Sequence, residues 1–221
     1  MKDGLEVNWS DEPGGEPEII GKSEDGTNDH EKIHGIFNPS SVYPLFANSL
    51  RGLNNQTVQE HMNDTGELFE RFSKVASKNK YSWFPIHRSA EEIALTQPEN
   101  RMIGLPYTKY MNSIMRVNQS CALILMSAKK ARELGIPTSK WVFMYAGACI
   151  NDIWNVSDRV DYSSSPAIKA CSDNVFELAD VKIEELNFID LYSCFPSAVQ
   201  IAMKELELSK DDPRGLSLIH I

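Results

Sequence analysis

Three short apolar runs, each followed by a capped amphipathic stretch, restrict what the C-terminal half of this chain can fold into. The runs are "CALILMS" (121–127), "WVFMYAGACI" (141–150) and "NFIDLY" (187–192). Unbroken apolarity over so few residues, as in 121–127, is the pattern of a strand covered on both faces, and the other two runs read as the second and third strands. Ser127 is placed to cap "AKKARELG", which Gly135 closes. Ser165 and Pro166 occupy the N-cap and first position of a helix through "AIKACSDNVFEL", and Pro196 opens a third helix. The order from residue 117 onward is β-α-β-α-β-α. It predicts an α/β architecture, a parallel or mixed sheet with helices on its faces.

The first half reads differently. In "GIFNPSSVYPLFANSLR", Tyr43, Leu45, Phe46 and Leu50 suit a short helix, and Pro39 and Pro44 are expected to break the chain. "NDTGELFERFSKVASKN" places Leu68, Phe69, Phe72, Val75 and Ala76 on one stripe of a longer helix. Ser89 and Glu92 stand at capping-box spacing before another short one. Residues 1–34 are acidic, Gly-rich and poor in aromatics, so they are expected to be an irregular leader.

Charge excludes one class of partner. The 221 residues hold 22 Lys and Arg against 31 Asp and Glu, a net charge of −9. Residues 1–32 alone hold ten carboxylates and three lysines. A nucleic-acid binder needs a basic face, so no nucleic-acid partner is expected. No apolar run is long enough to span a bilayer and no apolar signal-peptide centre follows Met1, so a cytoplasmic protein with no membrane partner is expected. Cys121, Cys149, Cys171 and Cys194 share no metal-ligand spacing and read as reduced core thiols. His30, His34, His61 and His87 show no ligand spacing either, so no metal site is expected.

The stretch "DLYSCFPSAVQ" (190–200) is the most informative for chemistry. It joins the end of an apolar run to the start of a helix, where backbone N–H groups are free and side chains open into a crevice. If the run alternates regularly, Asp190 and Tyr192 share one face and Ile189 and Leu191 the other. Tyr192 is then either a pocket residue or a strand-end aromatic whose hydroxyl finds a local partner.

Taken together, "CALILMSAKKARELGIP", "SPAIKA", "VKIEELNFIDLYSCFPSAVQIAMKELEL", "YPLFANSLR", "ENRMIGLPYTKYMNS" and "WVFMYAGA" resemble the thiolase superfamily. The likeness is to thiolase-like acetyl-CoA acetyltransferases related to the sterol-carrier-type thiolases, over roughly residues 35–215. The resemblance implies a thiolase-like fold fragment with an inserted, mainly helical loop domain. Residues 35–116 would be that loop domain, and 117–215 the end of the first half and the start of the C-terminal half. "LSLIHI" (216–221) resembles a translated sequencing adapter and is expected not to be native.

The family acts on coenzyme A thioesters, so an acyl-CoA substrate is implied, with no bound cofactor. A homodimer and a small OB-fold partner are also implied. "YSCF" falls on the family's motif whose first residue, Asn or His, helps form an oxyanion hole for the thioester carbonyl. Tyr192 stands at that position, which leaves open a partner-dependent aldolase or a non-catalytic binding subunit in place of an acyltransferase. Asn118 and Ser193 are implied as substrate-binding candidates, Asn118 having loop-to-strand capping as its competing reading. The family's Gly-His-Pro and Cys-x-Gly motifs do not occur in these 221 residues. Nor does its nucleophilic cysteine, so the chain is expected to be an inactive piece when alone.

Overall fold

The computed structural model describes residues 14–16, 18, 20, 26–114, 120–192, 194–212 and 214. Structure begins earlier than the acidic composition suggests. Helix α1 (Asp29–Ile33) is closed by a reciprocal cap, in which the Asn28 side chain accepts from Glu31 N and the Glu31 carboxylate accepts from Asn28 N. The other Glu31 oxygen accepts from Ser157 N at 2.6 Å, so α1 is tied to a segment far along the chain. Burial alone would raise the Glu31 carboxyl. Hydrogen bonds from the Ser157 and Asn28 backbone and the Ser157 hydroxyl outweigh it and hold the group below its ordinary value.

Helix α2 (Pro39–Leu53) starts with proline at its first position, as that residue's fixed φ allows. Pro44, expected to break the chain, lies inside α2. It has no N–H for the Ser40 carbonyl, and that carbonyl packs instead against Gly104, where a Cβ would come within 2.6 Å of it. Helix α3 (Val58–Ala76) begins upstream of the expected segment because Thr57 and Glu60 form a capping box. Its Leu68, Phe69, Phe72 and Ala76 are buried as the stripe predicts. Helix α4 (Ala90–Ala94) is capped by Ser89, which accepts from Glu92 N.

Gly66 lets α4 dock on α3. A Cβ there would lie 2.5 Å from the Ala90 carbonyl oxygen and 3.3 Å from the Ala94 methyl. Alanine gains up to about 1 kcal/mol of helix propensity, but a backbone clash of this kind costs about 1–3 kcal/mol. Gly66→Ala is therefore expected to lower the urea midpoint despite the better helix former. An unchanged or raised midpoint contradicts the close packing.

Among the described residues the sheet is a two-stranded antiparallel hairpin, β1 (Met102–Gly104) with β2 (Tyr107–Thr108), joined through a cis Leu105–Pro106 bond. This corrects the expected parallel or mixed sheet. The runs 121–127, 141–150 and 187–192 form neither helix nor strand. Leu123, Ile124, Val142, Met144, Tyr145 and Phe188 are each at least 82% exposed. The local pattern of a run encodes a demand for burial and pairing, but not the neighbour that meets it. Cys121 and Cys149, read as core thiols, are exposed for the same reason.

The helices between these runs start where their caps predict. They are α5 (Ala128–Glu133) after Ser127, α6 (Pro166–Ala179) after Ser165, and α7 (Pro196–Glu205) after Phe195. Helix α7 closes the core, with Val199, Ala202 and Met203 joining Phe69, Phe72, Ile93, Tyr107 and Met111 in one apolar cluster. Leu191 and Phe195, in the segment leading into α7, thus pack against the helical layer built by α2 and α3.

Candidate functional site

The segment entering α7 keeps a two-residue alternation although, among the described residues, no strand pairs with it. Ile189 and Leu191 turn toward the core, while Phe188, Asp190 and Tyr192 turn out. Phe195, the residue before the first turn of α7, is buried between two tyrosines. The Tyr43 ring stacks on it at 4.3 Å and the Tyr107 ring lies 5.6 Å away. The Tyr107 hydroxyl accepts from Ser197 N at 3.3 Å, satisfying one of the orphan donors of the α7 N-terminus. Burial pushes the Tyr107 phenol up, against the lowering effect of its contacts with Ser197.

A cleft of about 550 Å³ opens between α2, the 152–165 loop and the start of α7. Its floor is largely apolar, with Phe37, Val42, Phe46, Trp154 and Ile201 among the lining residues, and Asp190 and Tyr192 stand on its wall. Most of its charge is spent internally. Arg159 grips Asp152 through two nitrogens at 3.1 and 3.2 Å, and Ser165 Oγ donates to the same carboxylate at 2.6 Å. Burial works to raise the Asp152 carboxyl, and these hydrogen bonds together with that from Ile153 N hold it below its ordinary value. The Arg159 guanidinium also lies 5.2 Å over the Phe46 ring.

Tyr192 is a hydroxyl-bearing wall residue, 68% exposed. That hydroxyl lies 3.1 Å from Cys194 Sγ, and either atom can be the donor. The hydrogen bond to the thiol raises the Tyr192 phenol above its ordinary value of 10.0, helped by charge interaction with the same group. A phenol held protonated at neutral pH serves as a hydrogen-bond donor rather than as a base. Cys194 itself is half-buried against the core. Of the residues singled out by sequence, Tyr192 is therefore on the cleft, whereas Asn118 and Ser193 lie outside the described residues. Tyr43 and Tyr107 were not legible as site residues, because their approach to α7 depends on how α2 and the hairpin pack. Among the described residues no three His, Cys, Asp or Glu side chains come together as metal ligands.

A second cleft of about 480 Å³ lies between the end of α2, α3 and α7 and includes His61. His61 is 2% exposed; its Nδ1 is 3.3 Å from Gln56 Oε1, while Nε2 is buried without a partner. Burial lowers its pKa below the ordinary 6.5, with Asp64 opposing and Arg51 adding to the shift. A histidine depressed in the folded state supports the fold while neutral, so its contribution is present above pH 6.5 and lost as pH falls below that value. The urea midpoint is expected to drop between pH about 7.5 and about 5.5, and to drop less in His61→Gln. Equal slopes in the two proteins would remove His61 from the acid sensitivity.

No family model matches the chain. A curated acetyl-CoA acetyltransferase from Methanocaldococcus jannaschii is 23% identical over 178 residues, which is 77% of this chain and 44% of that protein. Among solved structures, a monomeric SCP2-thiolase like protein type 1 from Mycobacterium smegmatis matches with a TM-score of 0.81 at 36% sequence identity, over 89% of this chain. The chain is similar to thiolase-like proteins over most of its length. It spans less than half the length of these relatives, 44% of the first and 43% of the second. The thiolase-like chain is helix-rich with a small antiparallel sheet; Tyr192 falls inside the expected region of resemblance, while the cleft also takes in Gly26, Thr27 and Glu31 ahead of it.

Proposed function

We propose that this thiolase-like chain supplies one wall of the active site of an acyltransferase acting on acyl-CoA thioesters, of the acetyl-CoA C-acetyltransferase kind. The observation that supports this best is the placement of Tyr192, a protonated phenol on the wall of an apolar-floored cleft in the extended segment that leads into α7. Bond making or breaking next to a thioester develops negative charge on a carbonyl oxygen. A preorganised donor aimed at that oxygen stabilises the transition state by about 3–4 kcal/mol. In this reading residues 35–116 are the inserted loop domain, 117–215 carry the hinge, and Asn118 and Ser193 contact the acyl group. Coenzyme A enters as part of the substrate and no cofactor is held.

These 221 residues contain no Gly-His-Pro or Cys-x-Gly motif, so the chain by itself binds but does not turn over. The test pairs calorimetry with acetyl-CoA and a thiolysis assay with acetoacetyl-CoA and coenzyme A. Binding without turnover is the expected result. Turnover by the purified chain refutes its dependence on further residues, and absence of binding refutes the substrate class. A second reading, a partner-dependent aldolase or binding subunit, is favoured by tyrosine standing where the family has Asn or His. Retro-aldol activity on an acyl-CoA aldol in the presence of a small OB-fold partner would establish it. The Mycobacterium smegmatis relative is described as monomeric, so a sedimentation measurement decides between one copy and the homodimer implied by the wider family.

A further inference from the structure

Residues 71–90 carry Arg71, Lys74, Lys78, Lys80 and Arg88 and no carboxylate, within a chain whose formal net charge is −9. Arg71 pairs with Asp211 and Arg88 with Glu92. Lys74, Lys78 and Lys80 are exposed, and among the described residues no ion pair joins them to a carboxylate. The connection from α3 to α4 that follows presents Tyr81, Trp83, Phe84 and Ile86, between 44% and 72% exposed, within six residues. Lys80 Nζ sits 4.7 Å over the Tyr81 ring, holding charge and aromatic face together.

The connection is fixed rather than loose. Tyr81 N donates to Asn79 Oδ1 at 3.0 Å, Ser82 N to Asn79 O at 3.0 Å, and Ile86 N to Phe84 O at 2.7 Å. Its apolar side chains are therefore presented in a set arrangement, and contact with a partner does not first require ordering the backbone.

We propose that this loop is a peripheral docking tip for an anionic lipid surface. Tyr81, Trp83, Phe84 and Ile86 enter the headgroup layer, and Lys74, Lys78 and Lys80 face the anionic heads. Amphipathic rings favour the membrane–water boundary, and nearby lysines add attraction to anionic lipid. Phe84 and Ile86 have nothing to offer a hydrogen-bonding partner, which favours an apolar layer. The chain's charge favours a planar surface over a nucleic acid: a surface touched at one tip leaves the acidic remainder in water, whereas a strand lying along the protein would meet it. Among the described residues no helix is long and apolar enough to cross a membrane, so the contact is superficial.

The test is flotation of the full chain with phosphatidylcholine vesicles, with and without phosphatidylglycerol. The chain is expected to float with the anionic vesicles at least about tenfold better than with neutral ones, and less well as salt is raised. Trp83→Ser with Phe84→Ser is expected to reduce anionic flotation about tenfold, as is Lys78→Glu with Lys80→Glu. All four side chains are exposed, so both variants should keep the wild-type circular dichroism melt. Three results overturn the proposal. They are equal flotation of wild type and the Trp83/Phe84 variant, no flotation with either vesicle, and release from vesicles by excess free coenzyme A or a single-stranded oligonucleotide.

Discussion

Replacing Asn100 by alanine is expected to lower the free energy of unfolding by about 3–5 kcal/mol. Asn100 is 0% exposed, and its Nδ2 lies within hydrogen-bond distance of three carbonyls, those of Glu92 (3.1 Å), Ile93 (2.9 Å) and Leu95 (3.0 Å). Its Oδ1 accepts from Tyr110 N at 2.8 Å. An amide has two hydrogens to give, so one is shared between carbonyls. The residue closes the C-terminal end of α4, whose last carbonyls have no intrahelical partner. Ile93 O keeps a bond from Thr108 Oγ1 at 2.7 Å. In the alanine variant Glu92 O, Leu95 O and Tyr110 N each lose their Asn100 bond. Leaving such a group unpaired costs about 1–3 kcal/mol where water cannot enter. Asn100→Asp should be no better than alanine, since it turns the donor into a carboxylate facing three carbonyl oxygens. A urea midpoint in either variant near that of the wild type would show that the α4 end does not depend on this side chain.

Asn100 also marks where sequence reading stopped. Within "TQPENRMIG" it looks like one polar residue in a loop, and only the return of Tyr110 and Thr108 past the end of α4 makes it a hub. Helix starts were legible because a cap is made by residues a few positions apart: Ser89, Ser127 and Ser165 each accept from the N–H three residues on. The stripe on α3 was legible for a similar reason, since one face of a helix is written in a fixed period. The Thr57–Glu60 box and the tolerance of Pro44 needed more, namely knowing that the helix continues upstream and that the Ser40 carbonyl has Gly104 beside it.

The apolar runs show the opposite limit. "CALILM" and "WVFMYAG" state a need for neighbours, and among the described residues no strand pairs with them. At the site, alternation around Leu191 put Asp190 and Tyr192 on the exposed side and Leu191 on the buried one, a two-residue rule that needs no tertiary knowledge, although all three line the cleft. The rings of Tyr43 and Tyr107 on either side of Phe195 come from elements about 150 and 90 residues earlier in the chain. Nothing local to them announces that meeting.

Tyr192→Phe is expected to cost about a hundredfold or more in turnover, with folding intact. It should be measured in an active assembly that carries this wall, such as this chain complemented by a nucleophile-bearing thiolase half. The residue is 68% exposed and its hydroxyl meets Cys194 Sγ at 3.1 Å, so removing one oxygen takes away a donor and little packing. If the phenol donates to a developing oxyanion, kcat falls far more than KM rises, because the interaction strengthens only as charge develops. Cys194→Ala supplies the complementary readout. The hydrogen bond to that thiol is the first cause of the raised phenol pKa. Losing it should return the pKa toward 10.0 and move the alkaline limb of the rate profile to lower pH, while Tyr192→Phe should abolish that limb. A phenylalanine variant that turns over at the wild-type rate, with the same alkaline limb, would reduce Tyr192 to an exposed aromatic on the cleft wall. The oxyanion donor would then have to come from outside the residues of this hinge.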